Sequence, residues 1–380
     1  MKKLVVVHPG AISVASSGEI KISQKTVSGM MQFQKRWKGD VMLIAQGNWS
    51  DENVILDGAW HSLRDLPFSV HLTRDLVQTI SDISPDIVLA PHTRGFEGLL
   101  DLPIPVVYTT ENPTLSWMRE DLRLSRGVVD RIRILAGAIR LEKLRRVMVK
   151  RSAGIQCNGW PAWDAYSKYS DDAILFYDTR LPQDKVEQFL SSEKEFIPTG
   201  VLRLGFSGRF APGKGPESVI ALEKKLTELG IAHTLVMVGA GEMEDDLKRL
   251  ASPSVRFISP MDFEAEWIDW AHQSIDLMVL THVLGDPSGT YLESVGTATP
   301  IIGFDNVALK ALVEKFGIGW VVPLGDIDEL AQTVARLSRQ PEALKERAER
   351  GLRFMLEHSQ EREFDKRIQH LEKILAKNLA

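Results

Sequence analysis

Between Gly285 and Phe304 the chain reads GDPSGTYLESVGTATPIIGF, and its residue types suit a charged ligand. Pro287, Ser288 and Gly289 are turn and N-cap types, so a helix is expected to start there with the backbone N–H groups near Gly289 and Thr290 free. Such groups at a helix N-terminus meet an anion, and a diphosphate is the natural guest. Glu293 follows Thr290 by one helical turn on the same face. Its carboxylate can accept two hydrogen bonds from a vicinal diol such as a ribose.

Cations occur upstream, in SGRFAPGKGPE, where Arg209 and Lys214 flank a turn containing Pro212, Gly213 and Gly215. Pro216 opens the next helix where its missing N–H costs nothing. A planar arginine fork beside a mobile lysine charge suits a pyrophosphate that gains charge as it departs; solvated loop cations are the plainer alternative. Gly239-Ala240-Gly241-Glu242 is a βα turn with two readings, close backbone packing or a passage for phosphate or ribose. In the first half, YTTENP places Thr110, Glu111 and Asn112 at a strand's C-terminal end, where polar side chains are candidates for substrate contact. Glu111 reads equally as a solvated loop acid. The loop after the first strand, His8 to Ser23 with Gly10 and Gly18, matches no phosphate-loop pattern, and a plain glycine turn explains it as well. A phosphate cradle with a diol clamp one turn behind it has the make-up of a nucleotide-sugar site.

The elements that position these residues alternate. Strands are expected at Lys3 to Val7, Val41 to Ala45, Asp86 to Ala90, Ile104 to Thr109 and Gly154 to Cys157. A second series is expected at Leu202 to Phe206, Thr234 to Val238, Val255 to Ile258, Asp276 to Leu280 and Pro300 to Gly303, separated by helices of about 10 to 15 residues. That rhythm calls for right-handed, parallel, doubly wound sheets, whose ligands sit at the strands' C-terminal ends. The polar stretch Ser191 to Gly200 separates the two series. The expected division is 1–195, 196–357 and a C-terminal helix at 358–380, for which packing back on the first domain is one arrangement. Gly351 reads as a helix break. Trp160, Trp163, Tyr166 and Tyr169 read as core more readily than as a sugar-stacking surface.

With 380 residues, 44% of them apolar and 26% charged, the chain has the composition of a soluble globular protein of two domains. A net charge of −5 implies no chain-wide attraction to nucleic acid. The single cysteine, Cys157, excludes an internal disulfide and a cysteine-only metal site, and it reads as a small buried hydrophobe. The cytoplasm is the simplest compartment. The opening MKKLVVVHPG reads as a first strand rather than a signal peptide, because His8-Pro9-Gly10 cuts the apolar run short. No run is long enough to span a bilayer. One local exception to the acidic balance stands out: from Arg119 to Arg151 there are eleven Arg or Lys residues against Glu120, Asp121, Asp130 and Glu142. Leu141, Leu144 and Met148 lie there at helical spacing. The helix at Arg131 to Arg151 is therefore either a peripheral contact with anionic lipid or a surface helix whose stripe packs into the core.

Taken in order, GRFAPGKG, VMVGAGE, VRFISPMDFEAEWIDWAHQSIDLMVL and DPSGTYLESVGTATPIIG resemble the donor domain of retaining glycosyltransferases of family 4, among the glycosyl transferases group 1. The resemblance is close from about Leu202 to Val322 and covers the first half in outline only. It implies the GT-B architecture, an α/β fold of two Rossmann-like doubly wound parallel-sheet domains facing a central cleft. It also implies that Arg209 and Lys214 hold a donor diphosphate, that Glu293 holds the nucleotide ribose and that Met261 to Phe263 lie by the base. The family's second acid, eight residues before the ribose-binding one, is here Gly285. Asp286 either substitutes from a shifted loop or that contact is missing. Where the family often carries a histidine after the strand matching Val106 to Thr109, this chain has Glu111.

The candidate catalytic residues are therefore Arg209, Lys214, Asp286 and Glu111. Gly10, Gly208, Gly239, Met261, Ser288, Gly289, Thr290 and Glu293 are the candidates for donor binding. The implied reaction moves a sugar from a nucleotide-diphosphate sugar to a glycan or lipid-linked acceptor with retention, at or near the cytosolic membrane face. No metal and no cofactor beyond the donor are expected, and Asp326-Ile-Asp328 reads as a helix cap rather than a metal motif. The competing readings are a non-catalytic nucleotide-sugar-binding protein and an epimerase of the same architecture.

Overall fold

The computed structural model describes residues 2–378 apart from 50–57, 117, 119–121, 123, 124, 126 and 198. It divides into two compact units, Met1–Tyr177 with Glu361–Ala380, and Asp178–Gln360.

In the first unit the strands are β1 (Lys2–Val7), β2 (Ile12–Val14), β3 (Ile20–Ile22), β4 (Gly39–Asn48), β5 (Ala59–His61), β6 (Ser69–Thr73), β7 (Ile87–Pro91), β8 (Val106–Thr110), β9 (Gly154–Asn158) and β10 (Ala173–Phe176). They run in the order β10-β9-β8-β7-β1-β4, with β6 also pairing with β4, and all these pairs are parallel. The continuous apolar runs of β1, β7 and β8 fit strands covered on both faces. The expected loop from His8 to Ser23 is a correction: it holds the antiparallel pair β2 and β3. Ile12, Ile20 and Ile22 are fully buried, and Gly18 takes the positive φ of the turn between them.

In the second unit β11 (Leu202–Ser207), β12 (His233–Val238), β13 (Val255–Ile258), β14 (Leu277–Leu280), β15 (Ile301–Phe304) and β16 (Gly319–Val322) form a wholly parallel sheet in the order β13-β12-β11-β14-β15-β16. This is the doubly wound order, in which the chain winds outward in one direction from β11 and then returns to its other side at β14. The strand order reverses between β11 and β14, which pair through Leu204 with Leu277 and Gly205 with Met278. A crevice opens at such a switch point because the flanking helices depart to opposite faces. The loop carrying Arg209 and Lys214 follows β11, and the loop carrying Asp286 and Ser288 follows β14. Several connecting helices are shorter than expected, Glu244–Leu250 and Ile268–Ser274 among them.

Three further expectations change. The transition between units falls at Tyr177 and Asp178, not at 195 and 196, because the helix Gln183–Leu190 packs against the helix Pro341–Glu357 of the second unit. Gly351 does not break that helix. It lies inside Pro341–Glu357, where a Cβ would stand 2.8 Å from the Val295 Cβ, so it admits a close helix approach. The helix Gly289–Gly296, which its sequence reads as amphipathic, is not so, since every residue from Tyr291 to Gly296 is buried. The C-terminal helix Gln360–Asn378 joins the first unit's core through Phe364, Ile368, Leu371 and Leu375, a stripe of helical period packed with Leu4, Phe33 and Val41.

Candidate functional site

The helix Gly289–Gly296 begins at Ser288, which has the extended conformation of an N-cap but makes no side-chain cap. Its first amide groups are left for a ligand, at the end where the helix dipole is positive. Glu293 is only 5% exposed. Its carboxylate folds back along the helix, so that a Cβ on Gly289 would stand 3.3 Å from Glu293 Oε1. The helix's first amide groups and the Glu293 carboxylate are thus adjacent, as the three- and four-residue spacing requires.

Lys214 closes a single turn, Pro212–Lys214, and is followed by Gly215 in the left-handed conformation. That turn is sewn to the end of β14: Thr281 Oγ1 donates to the Gly215 carbonyl at 2.7 Å, and the Val283 amide to the Gly213 carbonyl at 3.2 Å. A Cβ at Gly215 would collide with the Thr281 carbonyl oxygen, which is why glycine stands there. The stitching brings Lys214 Nζ to 3.1 Å from Asp286 Oδ2. Asp286, the nearest acid to the missing family position, therefore reaches into the switch-point crevice, and its Oδ1 is buried without a hydrogen bond among the described residues. Arg209 is exposed and forms no ion pair among the described residues. Its neighbours explain the glycines. The Phe210 amide donates to the Ala240 carbonyl at 2.8 Å, and a Cβ at Gly239 would meet the Gly208 carbonyl oxygen, so Gly208 and Gly239 allow two loops to touch.

Met261 is half-buried in the loop after β13. Asp262 caps the next turn by accepting from the Ala265 amide at 2.8 Å, and Phe263–Trp267 is wound as a π-helical turn. Such turns are rare and are frequently found at functional positions. Trp267 Nε1 donates to Ser207 Oγ at 2.8 Å, fixing the turn to the end of β11, and the Phe263 and Trp267 rings stack with centroids 5.5 Å apart.

Sequence reasoning missed Arg180. Its Nε donates to Glu293 Oε1 at 2.9 Å, and its guanidinium carbon lies 4.0 Å from the centroid of Phe263. It links Glu293 to the loop that carries Met261 and Phe263. Only its distance in sequence hid it, since nothing in YDTRLP marks a ligand contact.

In the first unit Gly10 follows β1, where a Cβ would meet nothing within 4 Å. Glu111 is exposed after β8. The neighbouring turn is held from below by Arg145, which the basic run in the sequence placed among solvated charges but which is 2% exposed. Arg145 donates to the Asn112 carbonyl at 2.7 Å and to Thr110 Oγ1 at 2.8 Å, and stacks 4.6 Å from the centre of the Tyr166 ring. Tyr166 is fully buried and donates to Glu142 at 2.9 Å, in keeping with a core role. Burial, reinforced by the Arg145 charge, takes the adjacent His92 down to about 3. Cys157 is fully buried and its thiol is pushed up to about 12, which leaves it no nucleophilic role.

Asp326 accepts from the Glu329 amide at 2.9 Å as the cap of the helix Ile327–Leu337, and Asp328 pairs with Lys225. Among the described residues no cluster of three His, Cys, Asp or Glu is arranged around a common point.

The basic segment forms one helix, Val128–Arg151, while Arg119, Glu120 and Asp121 lie outside the described residues. Leu144 and Met148 face the first unit's core. A second stripe, Val128, Ile132, Leu135 and Ile139, is 74%, 60%, 41% and 56% exposed. Exposed Arg131, Arg133 and Arg140 flank it. Among the described residues no helix is long and apolar enough to cross a membrane.

Residues 187–353 match the family model described as glycosyl transferases group 1. A 2-deoxystreptamine glucosyltransferase of Streptomyces kanamyceticus is 25% identical over 141 residues, 36% of this chain and 36% of that protein, so the alignment spans about a third of the relative's length. Among solved structures, HepE of Anabaena in complex with UDP has a TM-score of 0.66 at 15% identity, over 99% of this chain and 100% of that one. The sucrose-phosphate synthase of Thermosynechococcus elongatus reaches 0.67 at 13% identity over the whole of both chains. The fold of two parallel-sheet α/β domains is therefore that of the GT-B glycosyltransferases.

Proposed function

We propose that this chain, a GT-B protein whose residues 187–353 form a glycosyl transferases group 1 domain, transfers a sugar from a nucleotide-diphosphate sugar to a glycan or lipid-linked acceptor. The observation that carries the reading is the convergence at the β11–β14 switch point. Lys214 and Asp286 meet there at 3.1 Å, and the loop after β14 runs on into the uncapped helix N-terminus with Glu293 folded against its first turn.

The chemistry follows from the charges. The bond from the anomeric carbon to the β-phosphate oxygen breaks, and negative charge collects on the departing diphosphate. Lys214, Arg209 and the amide groups of Gly289 and Thr290 stabilise that charge. A bond forms from an acceptor oxygen to the same carbon, and the acceptor's proton passes to the leaving phosphate. In the retaining course that the family resemblance implies, attack comes from the side the diphosphate leaves, so no separate protein base is required. Two side-chain cations and a helix N-terminus supply the countercharge a divalent ion would otherwise bring, so transfer is expected to persist in chelator. Glu293 takes the ribose, Met261 to Phe263 the base, and Asp286 a donor-sugar hydroxyl.

The acceptor is placed at an anionic membrane by the helix Val128–Arg151. An exposed apolar stripe bordered by arginines is complementary to an anionic bilayer. The protein is expected to work in the cytoplasm, at the inner membrane face.

The test is incubation with UDP-, GDP- and ADP-sugars, each with and without lipid-linked and glycan acceptors. A glycosidic product with the donor's anomeric configuration supports the proposal. Binding without turnover indicates a nucleotide-sugar-binding protein, and isomerised donor without acceptor indicates an epimerase. Either would overturn it.

A further inference from the structure

We propose that Arg180 is a positioning residue of the donor site, which sets the Glu293 carboxylate for a ribose and offers its free N–H groups to the adjoining phosphate. The inference rests on the nucleotide-sugar reading and adds a residue which that reading does not require.

Three segments distant in sequence meet at this arginine. It precedes the helix Gln183–Leu190, donates to an acid 113 residues later, and covers the ring of Phe263 at 4.0 Å. The Asp178 carbonyl oxygen, two residues before it, would stand 3.6 Å from a Cβ on Gly289, so this short segment passes directly beside the helix N-terminus. The side chain of Glu293 is 7% exposed and that of Arg180 29%. A carboxylate so buried needs a hydrogen-bonding partner.

The manner of pairing is informative. An arginine and a carboxylate that serve only each other commonly join through two parallel hydrogen bonds. Here a single nitrogen, Nε, engages a single oxygen, Oε1. Among the described residues Oε2 accepts no hydrogen bond, and the Nη groups donate none. One acceptor and a row of donors are thus left side by side at the helix tip. A ribose hydroxyl supplies the donor that Oε2 lacks, and a 5′-diphosphate supplies the acceptors that the Nη groups lack. Phe263 lies at cation–π distance from the guanidinium and restrains it in the absence of a ligand. A salt bridge serving stability alone would need neither the ring nor the unused groups.

The test is calorimetric titration of the full chain with UDP, GDP and ADP, and with the 2′,3′-dideoxy form of whichever binds best. Wild-type protein is expected to prefer the ribonucleotide at least tenfold. Arg180→Lys keeps a charge but not the planar fork; it is expected to lower diphosphate affinity about tenfold and to bring the ribo-to-dideoxy ratio close to one. Glu293→Ala should abolish the same ratio, and adding Arg180→Lys to it should change the ratio no further. If Arg180→Lys weakens binding but leaves the ratio intact, or changes neither, the positioning role is overturned while the nucleotide site stands. If wild-type protein binds none of the three nucleotides, the functional reading falls and the role of Arg180 falls with it. Arg180→Gln, with its thermal midpoint measured alongside, guards against a folding defect: a folded variant with an unchanged ratio also overturns the proposal.

Discussion

Lys214 Nζ and Asp286 Oδ2 stand 3.1 Å apart, each on a loop that leaves one of the two strands flanking the sheet's switch point. On the proposed function an incoming diphosphate competes with Asp286 for this lysine, so the pair is expected to divide binding from turnover. Lys214→Ala is expected to lower kcat by about 10² to 10³, the range for removing one donor to developing negative charge. Asp286→Asn is expected to tighten the free nucleoside diphosphate about three- to tenfold, since a partly exposed ion pair contributes on the order of 1 kcal/mol, while slowing sugar transfer. Steady-state kinetics beside product-inhibition constants would show the split, and a Lys214→Ala enzyme of normal kcat would remove the lysine from the mechanism.

Membrane contact through the exposed stripe can be separated from folding, because the core-facing stripe of the same helix is left untouched. Replacing Ile132 and Ile139 together by Asp is expected to abolish sedimentation with vesicles containing phosphatidylglycerol at low salt, with little change in thermal midpoint. Wild-type protein that fails to bind such vesicles would refute the surface assignment.

Acid stability should betray His92. Its value is 6.5 when unfolded and about 3 when folded, so the unfolded chain binds the extra proton and stability falls as the pH drops from 6.5 toward 3. At pH 5 this one group costs about 2 kcal/mol relative to neutral pH. His282, fully buried and pushed well below its ordinary value by burial and then by Lys214, acts in the same direction. Urea unfolding at pH 7 and pH 5 should therefore show a smaller loss for His92→Gln than for wild type. An equal loss would mean that His92 is not held neutral.

Gly351→Ala tests the close approach of two helices in the second unit. With only 2.8 Å available to the Val295 Cβ, the added methyl must push the helices apart, costing about 1 to 3 kcal/mol. Chemical denaturation would read this directly, and a stabilised variant would show that the two helices do not approach so closely.

Much of the second unit was legible in the chain itself. Apolar runs of strand length set between helical stretches located β11 to β15 to within one or two residues, because a buried parallel strand must be apolar throughout. The helix start was legible at Ser288 and Gly289, with Glu293 one turn on, since helical spacing is a local property. Asp326 was correctly read as a cap for the same reason. What local pattern could not supply were partnerships across the sheet. Lys214 meets Asp286 because β11 and β14 are neighbours in the fold, and Glu293 meets Arg180 because the segment before the helix Gln183–Leu190 passes beside the helix Gly289–Gly296. Arg145 looked like one more solvated cation, yet it lies in the core under Thr110 and Tyr166. Gly351 looked like a helix break until Val295 was placed against it. Spacing along the chain determines which groups share a face, whereas burial and pairing depend on which faces meet, and that was decided only when the parallel sheets assembled.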